Sequence, residues 1–185
     1  MMALFRNFAG FLLVATLLGC GVADRVGNRF SDSWVGELVG NEERVRVTVN
    51  SDEWLNPGAS GEPLSVVVRI YQLSESGAFV SASPRQLWSG ADLVLGHGLI
   101  SEREITVLPG EQKVDVSALA LQTQYVGVAA FFRNTGYYGD WHVVFDADEL
   151  RKDGLLGASE GVRLHLAGDR IEVERGDNLL SLVSE

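Results

Sequence analysis

The 185-residue chain contains one cysteine, Cys20, which excludes any internal disulfide framework. Histidine is nearly as scarce. His97 sits between glycines, His142 follows Trp141 at the start of an apolar run, and His165 alternates with Val162, Leu164 and Leu166 and is expected to face solvent. With no His-x-x-x-His spacing and no cysteine pair, no metal ligands are assigned. The sequence also lacks a Gly-x-Ser-x-Gly elbow and a glycine-rich phosphate loop after a strand, so neither a serine nucleophile nor a nucleotide site is expected. Asp146, Asp148 and Glu149 form an acidic cluster that paired-carboxylate glycoside hydrolysis would use. A solvated turn leading into Leu150-Arg151-Lys152 explains them more simply. Trp88 and Trp141 are read as core aromatics ahead of a sugar-stacking platform. No catalytic residue is assigned, and no small-molecule substrate is expected. Positive charge is in short supply as well: 15 Lys and Arg face 25 Asp and Glu, a formal charge of -10. Such a surface repels a phosphate backbone and anionic headgroups, which excludes nucleic acid as an expected partner.

Long apolar runs are missing too, apart from one that is too short to span a bilayer comfortably. That run, Ala9 to Gly19, follows a start carrying Arg6 and closes on small residues, the pattern of an export signal. Leu17-Leu18-Gly19-Cys20 resembles a bacterial lipobox. The resemblance implies a signal peptide over residues 1–19, cleavage before Cys20, and a covalent N-acyl diacylglyceryl lipid on its sulfur and amine. No other cofactor is expected. Each buried methylene of an acyl chain contributes roughly 0.8 kcal/mol, so several chains together hold firmly. Gly21 and Val22 lack the aspartate that retains resembling lipoproteins at the inner membrane, which points to the outer membrane, on its periplasmic side. Cleavage removes Arg6 and leaves 14 basic against 25 acidic side chains, near -11. About 165 residues remain, enough to bury roughly 70 percent of the unfolded surface in one core.

Residues 20–43 read as a lipidated tether broken by Gly21, Gly27, Gly36 and Gly40, with Trp34, Val35, Leu38 and Val39 able to form a helical turn or two that docks on the domain. Residues 44–185 read as one all-β domain. Val45, Val47 and Val49 alternate with polar residues, which predicts a strand with one buried face. Leu64 to Leu73 is β-branched and nearly continuous, so it predicts a central strand covered on both faces. Between them Ser51 to Pro63 is long for a link between neighbouring strands. Residues 79–98 interrupt the rhythm: Ser83-Pro84 predicts a helix start, and Ala91 to Leu95 a second short helix before Gly96. Strands resume over Glu104 to Leu108, Lys113 to Val116, Tyr125 to Phe132 and Trp141 to Phe145. A hairpin closes the chain, with Val162, Leu164 and Leu166 inward, a turn at Gly168-Asp169, and Ile171 and Val173 inward. About eight strands imply a two-sheet β-sandwich with a helical insertion.

The ordered set of Leu55-Asn56-Pro57 in a long loop, Pro63-Leu64-Ser65-Val66-Val67-Val68-Arg69-Ile70-Tyr71-Gln72-Leu73, Val107-Leu108-Pro109-Gly110 and Tyr125 to Arg133, behind a lipobox, resembles the type VI secretion lipoproteins of the TssJ (SciN, VasD) family. The resemblance covers most of residues 45–145. It implies a transthyretin-like sandwich at the inner face of the outer membrane that docks onto the periplasmic C-terminal region of the inner-membrane subunit TssM, in a complex that also holds TssL. In that family the loop between the first two strands contributes to the contact. The matching candidates here are Asp52, Glu53, Trp54, Leu55, Asn56, Pro57 and Gly58, with Trp54 and Leu55 as apolar anchors. Deleting residues 52–58 is expected to leave the domain folded and to weaken capture of TssM. The alternative is a periplasm-facing lipoprotein that holds a small ligand in a groove between the helical insertion and a sheet.

Overall fold

The computed structural model describes residues 43–134, 140–152 and 161–182. The signal peptide, Cys20 and the tether up to residue 42 lie outside the described residues.

The alternating valines form strand β1 (Arg44–Ser51), with Val45, Val47 and Val49 buried. The continuous apolar run forms β2 (Val66–Leu73). A short helix α1 (Gly77–Ser81), a longer helix α2 (Pro84–Leu95) and a 3-10 turn (Gly96–Gly98) follow. Next come β3 (Leu99–Val107), β4 (Gln112–Ala118), β5 (Tyr125–Phe131) and β6 (His142–Asp146). Helix α3 (Ala147–Lys152), β7 (Val162–Ala167), β8 (Arg170–Arg175) and a 3-10 turn at Leu179–Leu182 complete the elements among the described residues. The strands pair into two four-stranded sheets, ordered β4-β1-β7-β8 and β3-β2-β5-β6. The β1–β7 pair is parallel and the other pairs are antiparallel. The fold is therefore the all-β sandwich that the strand pattern predicts, with β2 held between β3 and β5.

Register decides which side chains meet. Val68 and Ile70 of β2 stand beside Ala130 and Val128 of β5, and Val128 beside Val143 of β6, forming the inner face of one sheet. Val47 and Val49 of β1 stand beside Val162 and Leu164 of β7, forming the other. Where the two sheets' edges approach, Arg103 of β3 pairs with Asp115 of β4. That ion pair explains why β3 begins at Leu99, five residues before the strand predicted at Glu104. An edge strand with an inward arginine shows no apolar alternation.

The outer face of the β2 sheet is roofed by the helical insertion. Ser83 and Gln86 cap each other's backbone N–H groups at the start of α2, and Pro84 sits in its first turn. The second helix expected from Ala91 is continuous with α2 across a kink at Gly90. Phe79, Leu87, Ala91 and Leu95 are buried beneath the roof. A β-carbon at Gly127 would lie 2.8 Å from the Phe79 ring, so glycine there is what lets the ring seat on the sheet. Arg69 fastens the far side of the roof. Its guanidinium donates to the Leu87 carbonyl (3.0 Å), pairs with Glu104 (2.8 Å) and Glu102 (3.2 Å), and stacks 5.0 Å from the Trp88 ring and 5.2 Å from Phe131. Trp141 is core, as expected, whereas Trp88 is half-exposed over that arginine. Phe79 and the Arg69 guanidinium lie between the helical insertion and that sheet, where the alternative expectation put a small ligand. The Asp146 cluster starts a helix instead of a plain turn, because the Asp146 carboxylate accepts from the Asp148 N–H (2.7 Å) and caps α3.

Candidate docking loop

The segment between β1 and β2 leaves the sandwich at Ser51, whose hydroxyl donates to the Leu108 carbonyl (2.7 Å) and accepts from the Glu111 N–H (3.1 Å). Asp52 continues the stitching: its N–H donates to the Leu166 carbonyl (3.1 Å), and its own carbonyl accepts from Gly110 N–H (2.9 Å). Its carboxylate lies 3.0 Å from His165 Nε2, so the histidine expected to face solvent serves instead as a partner at the base of the loop.

Two residues pin the middle. Leu55 is wholly buried, and its carbonyl accepts from the Leu64 N–H (2.9 Å). Asn56 takes a left-handed backbone (φ 48°), a conformation that asparagine tolerates better than most residues. Three of its polar groups are used: its N–H donates to the Gly168 carbonyl (2.7 Å), its amide to the Ser65 carbonyl (2.9 Å), and its side-chain oxygen accepts from the Arg133 N–H (2.7 Å). Beyond it Gly58 and Glu62 close a small turn through a 2.8 Å backbone bond, with Pro57 and Gly58 half-buried.

Trp54 is left over. Its neighbours are fixed and its indole is 69% exposed, which a large aromatic seldom is without a contact elsewhere. The bonds made by Ser51, Asp52 and Asn56 also draw the β3–β4 turn (Leu108-Pro109-Gly110-Glu111) and the β7–β8 turn (Gly168-Asp169) to the same end of the sandwich. Leu108, 53% exposed, adds a second apolar side chain there. Glu53 runs along Gly110, and Glu62 and Asp169 place further acidic groups on this end. Lys113 and the Leu108 N–H hold the Glu111 carboxyl below its ordinary value. The sequence named Trp54 and Leu55 as a pair of anchors. The structure separates them, since the turn at Glu53-Trp54 and the bonds that hold Asn56 send Leu55 into the core, and Leu108 was missed. The only hint of it was an apolar residue following Val107 into a Pro-Gly turn, out of strand alternation.

Among the described residues no group of three or more His, Cys, Asp or Glu side chains is arranged to hold a metal. None of the described helices is long and apolar enough to cross a membrane.

Compared with known families, residues 43–169 match the T6SS-SciN model, described as type VI secretion lipoprotein, VasD, EvfM, TssJ. The chain belongs to this family of type VI secretion lipoproteins. Among solved structures it is similar to a chain of one described as "Type VI membrane complex", with 27% identity and a TM-score of 0.64 over 73% of this chain and 100% of that one. It is similar to a chain of "T6SS protein TssM C-terminal domain (869-1107) from EAEC", with 27% identity and a TM-score of 0.61 over 71% of this chain and 98% of that one. It shares its fold with the T6SS lipoprotein TssJ1 from Pseudomonas aeruginosa, at 24% identity and a TM-score of 0.57 over 74% of this chain and 99% of that one. Comparison with curated protein sequences finds no match. A family of secretion-system lipoproteins is a family of structural parts, and the arrangement at the loop end, an exposed indole on a braced backbone, is suited to contact.

Proposed function

We propose that the protein is an outer-membrane lipoprotein, acylated on Cys20, whose sandwich captures the periplasmic C-terminal region of TssM in a type VI secretion membrane complex that also contains TssL. The observation that carries the reading is Trp54, exposed on a loop whose flanking residues are bonded on both sides. A braced loop loses little conformational entropy when a partner covers it, so more of the contact energy appears as affinity. Asp52, Glu53, Pro57 and Gly58 frame the indole. Leu55 and Asn56 act from behind by holding the loop's shape. The likeness to a chain of the TssM structure supports the same reading. With 71% of the present chain covering 98% of it, that chain is roughly 130 residues long, much shorter than a fragment numbered 869–1107. A small lipoprotein domain lying beside TssM would have that length.

The lipid complements the loop. An acylated domain confronts a membrane-spanning partner at high effective concentration, so a modest interface stays occupied. The loop deletion expected from the sequence to be harmless for folding would remove Leu55 and Asn56 and is too coarse a test. Trp54→Ala is the sharper one. Calorimetric titration of the soluble domain with the TssM periplasmic region should show affinity at least roughly ten-fold weaker, the effect of losing a central aromatic anchor. An unchanged affinity would overturn the loop assignment.

A further inference from the structure

The eight residues of β1 separate two ends of the sandwich. Trp54 stands beyond one of them. At the other the chain enters, and that end is built around Glu43. Its carbonyl accepts from the Leu119 N–H (2.7 Å) and its carboxylate pairs with Arg151 (2.7 Å). Arg151 also donates to the carbonyls of Ala120 (3.2 Å) and Thr123 (3.0 Å). The Thr123 N–H donates to the Ala120 carbonyl (3.0 Å), closing a turn whose two central residues, Leu121 and Gln122, are both exposed. Leu121 is 91% exposed, more than any other large apolar side chain among the described residues. Leu93, next at 85%, lies on the last turn of α2, which leads into the 3-10 turn whose Gly98 carbonyl accepts from Ser74 just past β2. The Gln124 N–H bonds the Leu73 carbonyl (2.8 Å), so the end of β2 belongs to the same pole.

We infer that this entry pole rests on the lipid surface holding the acylated Cys20, with Leu121 as the side chain that enters it. The inference rests on the reading of Cys20 as a lipid anchor. The chain itself selects the occupant. Residues 21–42 join Cys20 to Glu43, so 22 residues of chain separate the acylated cysteine from this end of the domain, and the Trp54 end lies farther off by the length of β1. A soluble partner has no such advantage. Arg151 pairs with both Glu43 (2.7 Å) and Asp148 (2.6 Å), which offsets one of these two negative charges and so lessens the repulsion that the domain's net negative charge sets against a headgroup layer. Taking one leucine side chain out of water biases such a tethered equilibrium by roughly ten-fold. Resting on this pole directs β1 away from the membrane and carries the Trp54 loop about 25 Å outward along the strand. The domain becomes an oriented spacer.

The test uses the mature acylated protein in phosphatidylcholine vesicles that contain a nitroxide-labelled lipid. Acylation blocks the Cys20 thiol, so Gln122→Cys or Ser60→Cys supplies the one site for an environment-sensitive fluorophore, at the entry pole and the loop pole respectively. Flotation with the vesicles reports the anchor independently. The fluorophore at 122 should shift to the blue and be quenched by the nitroxide lipid while the one at 60 stays aqueous, and adding Leu121→Ser should remove most of the signal at 122. A floating protein whose two positions respond alike, or whose position 122 does not respond, overturns the inference while leaving the anchor standing. Protein that fails to float overturns the anchor reading and this one with it.

Discussion

Two excursions leave the sandwich on the way from β1 to β3, and they are put to opposite uses. The helical excursion lays Phe79, Leu87, Ala91 and Leu95 against the outer face of a sheet and is bolted down by Arg69. The loop before it buries only Leu55 and Asn56 and leaves its largest side chain in water. The first excursion completes the core, so its apolar residues contribute to folding. The second is held by one buried leucine and by hydrogen bonds, many of them to the β3–β4 and β7–β8 turns, so Trp54 is available for something else. Insertion length alone does not separate the two. What separates them is whether a sheet face waits beneath.

The largest consequence falls on the roof. Phe79 is wholly buried, with its ring 5.3 Å from Tyr71 and pressed onto Gly127. Phe79→Ala should therefore cost about 3–5 kcal/mol of stability in urea unfolding, the range for truncating a buried aromatic. A loss below about 1 kcal/mol would mean that the helices are ornament on an already stable sandwich.

Next is the loop's own pin. Leu55→Ala should cost about 2–5 kcal/mol, since the side chain is fully buried and its surroundings are fixed by bonds that limit collapse into the cavity. Capture of TssM by this variant, measured where it remains folded, should weaken as well, because the same residue sets the position of Trp54. If stability is unchanged, the loop is not braced and the contrast between the two excursions disappears.

A third measurement probes the roof through its buried phenol. Burial pushes the Tyr71 hydroxyl up to about 12 from its ordinary 10, the charge of Glu102 adds to the rise, and Arg69 opposes it. A folded-state value above the unfolded one means that the neutral phenol is favoured by the fold. Stability is therefore unaffected well below pH 10 and falls as the pH climbs from 10 toward 12, where the unfolded chain releases the proton first. Urea unfolding at a series of pH values should show this decline, and Tyr71→Phe should flatten that part of the profile. A profile in Tyr71→Phe identical to the parent's would show that the phenol is not shielded by the helices.

These contrasts also mark where the sequence was readable. The period-two valines of β1, the continuous run of β2, the Gly168-Asp169 hairpin and the Ser83-Pro84 helix start are local signals, and the structure contains all four elements. Most of the misses depend on partners distant in the chain. The first half of β3 was invisible because Arg103 faces inward to meet Asp115, a residue on the next strand. Trp54 and Leu55 are adjacent apolar residues that composition cannot rank. Their fates are decided by Gly168, Arg133 and Ser65, which hold Asn56 and so fix how the chain turns after them. Leu108 became part of the same surface only because Ser51 and Asp52 draw its turn across.

The smallest expected effect on stability is also the most diagnostic. Trp54→Ala removes the loop's largest exposed side chain, and nothing in the hydrogen-bond scheme passes through the indole. Its urea midpoint should stay within about 0.5 kcal/mol of the parent, as for a surface substitution away from structural features, even while the titration against TssM weakens. Finding the reverse, a large loss of stability with affinity intact, would mean that the indole folds back over the sandwich in solution. The loop would then be a second roof, and the docking surface would have to be sought at Leu108 and the turns beside it.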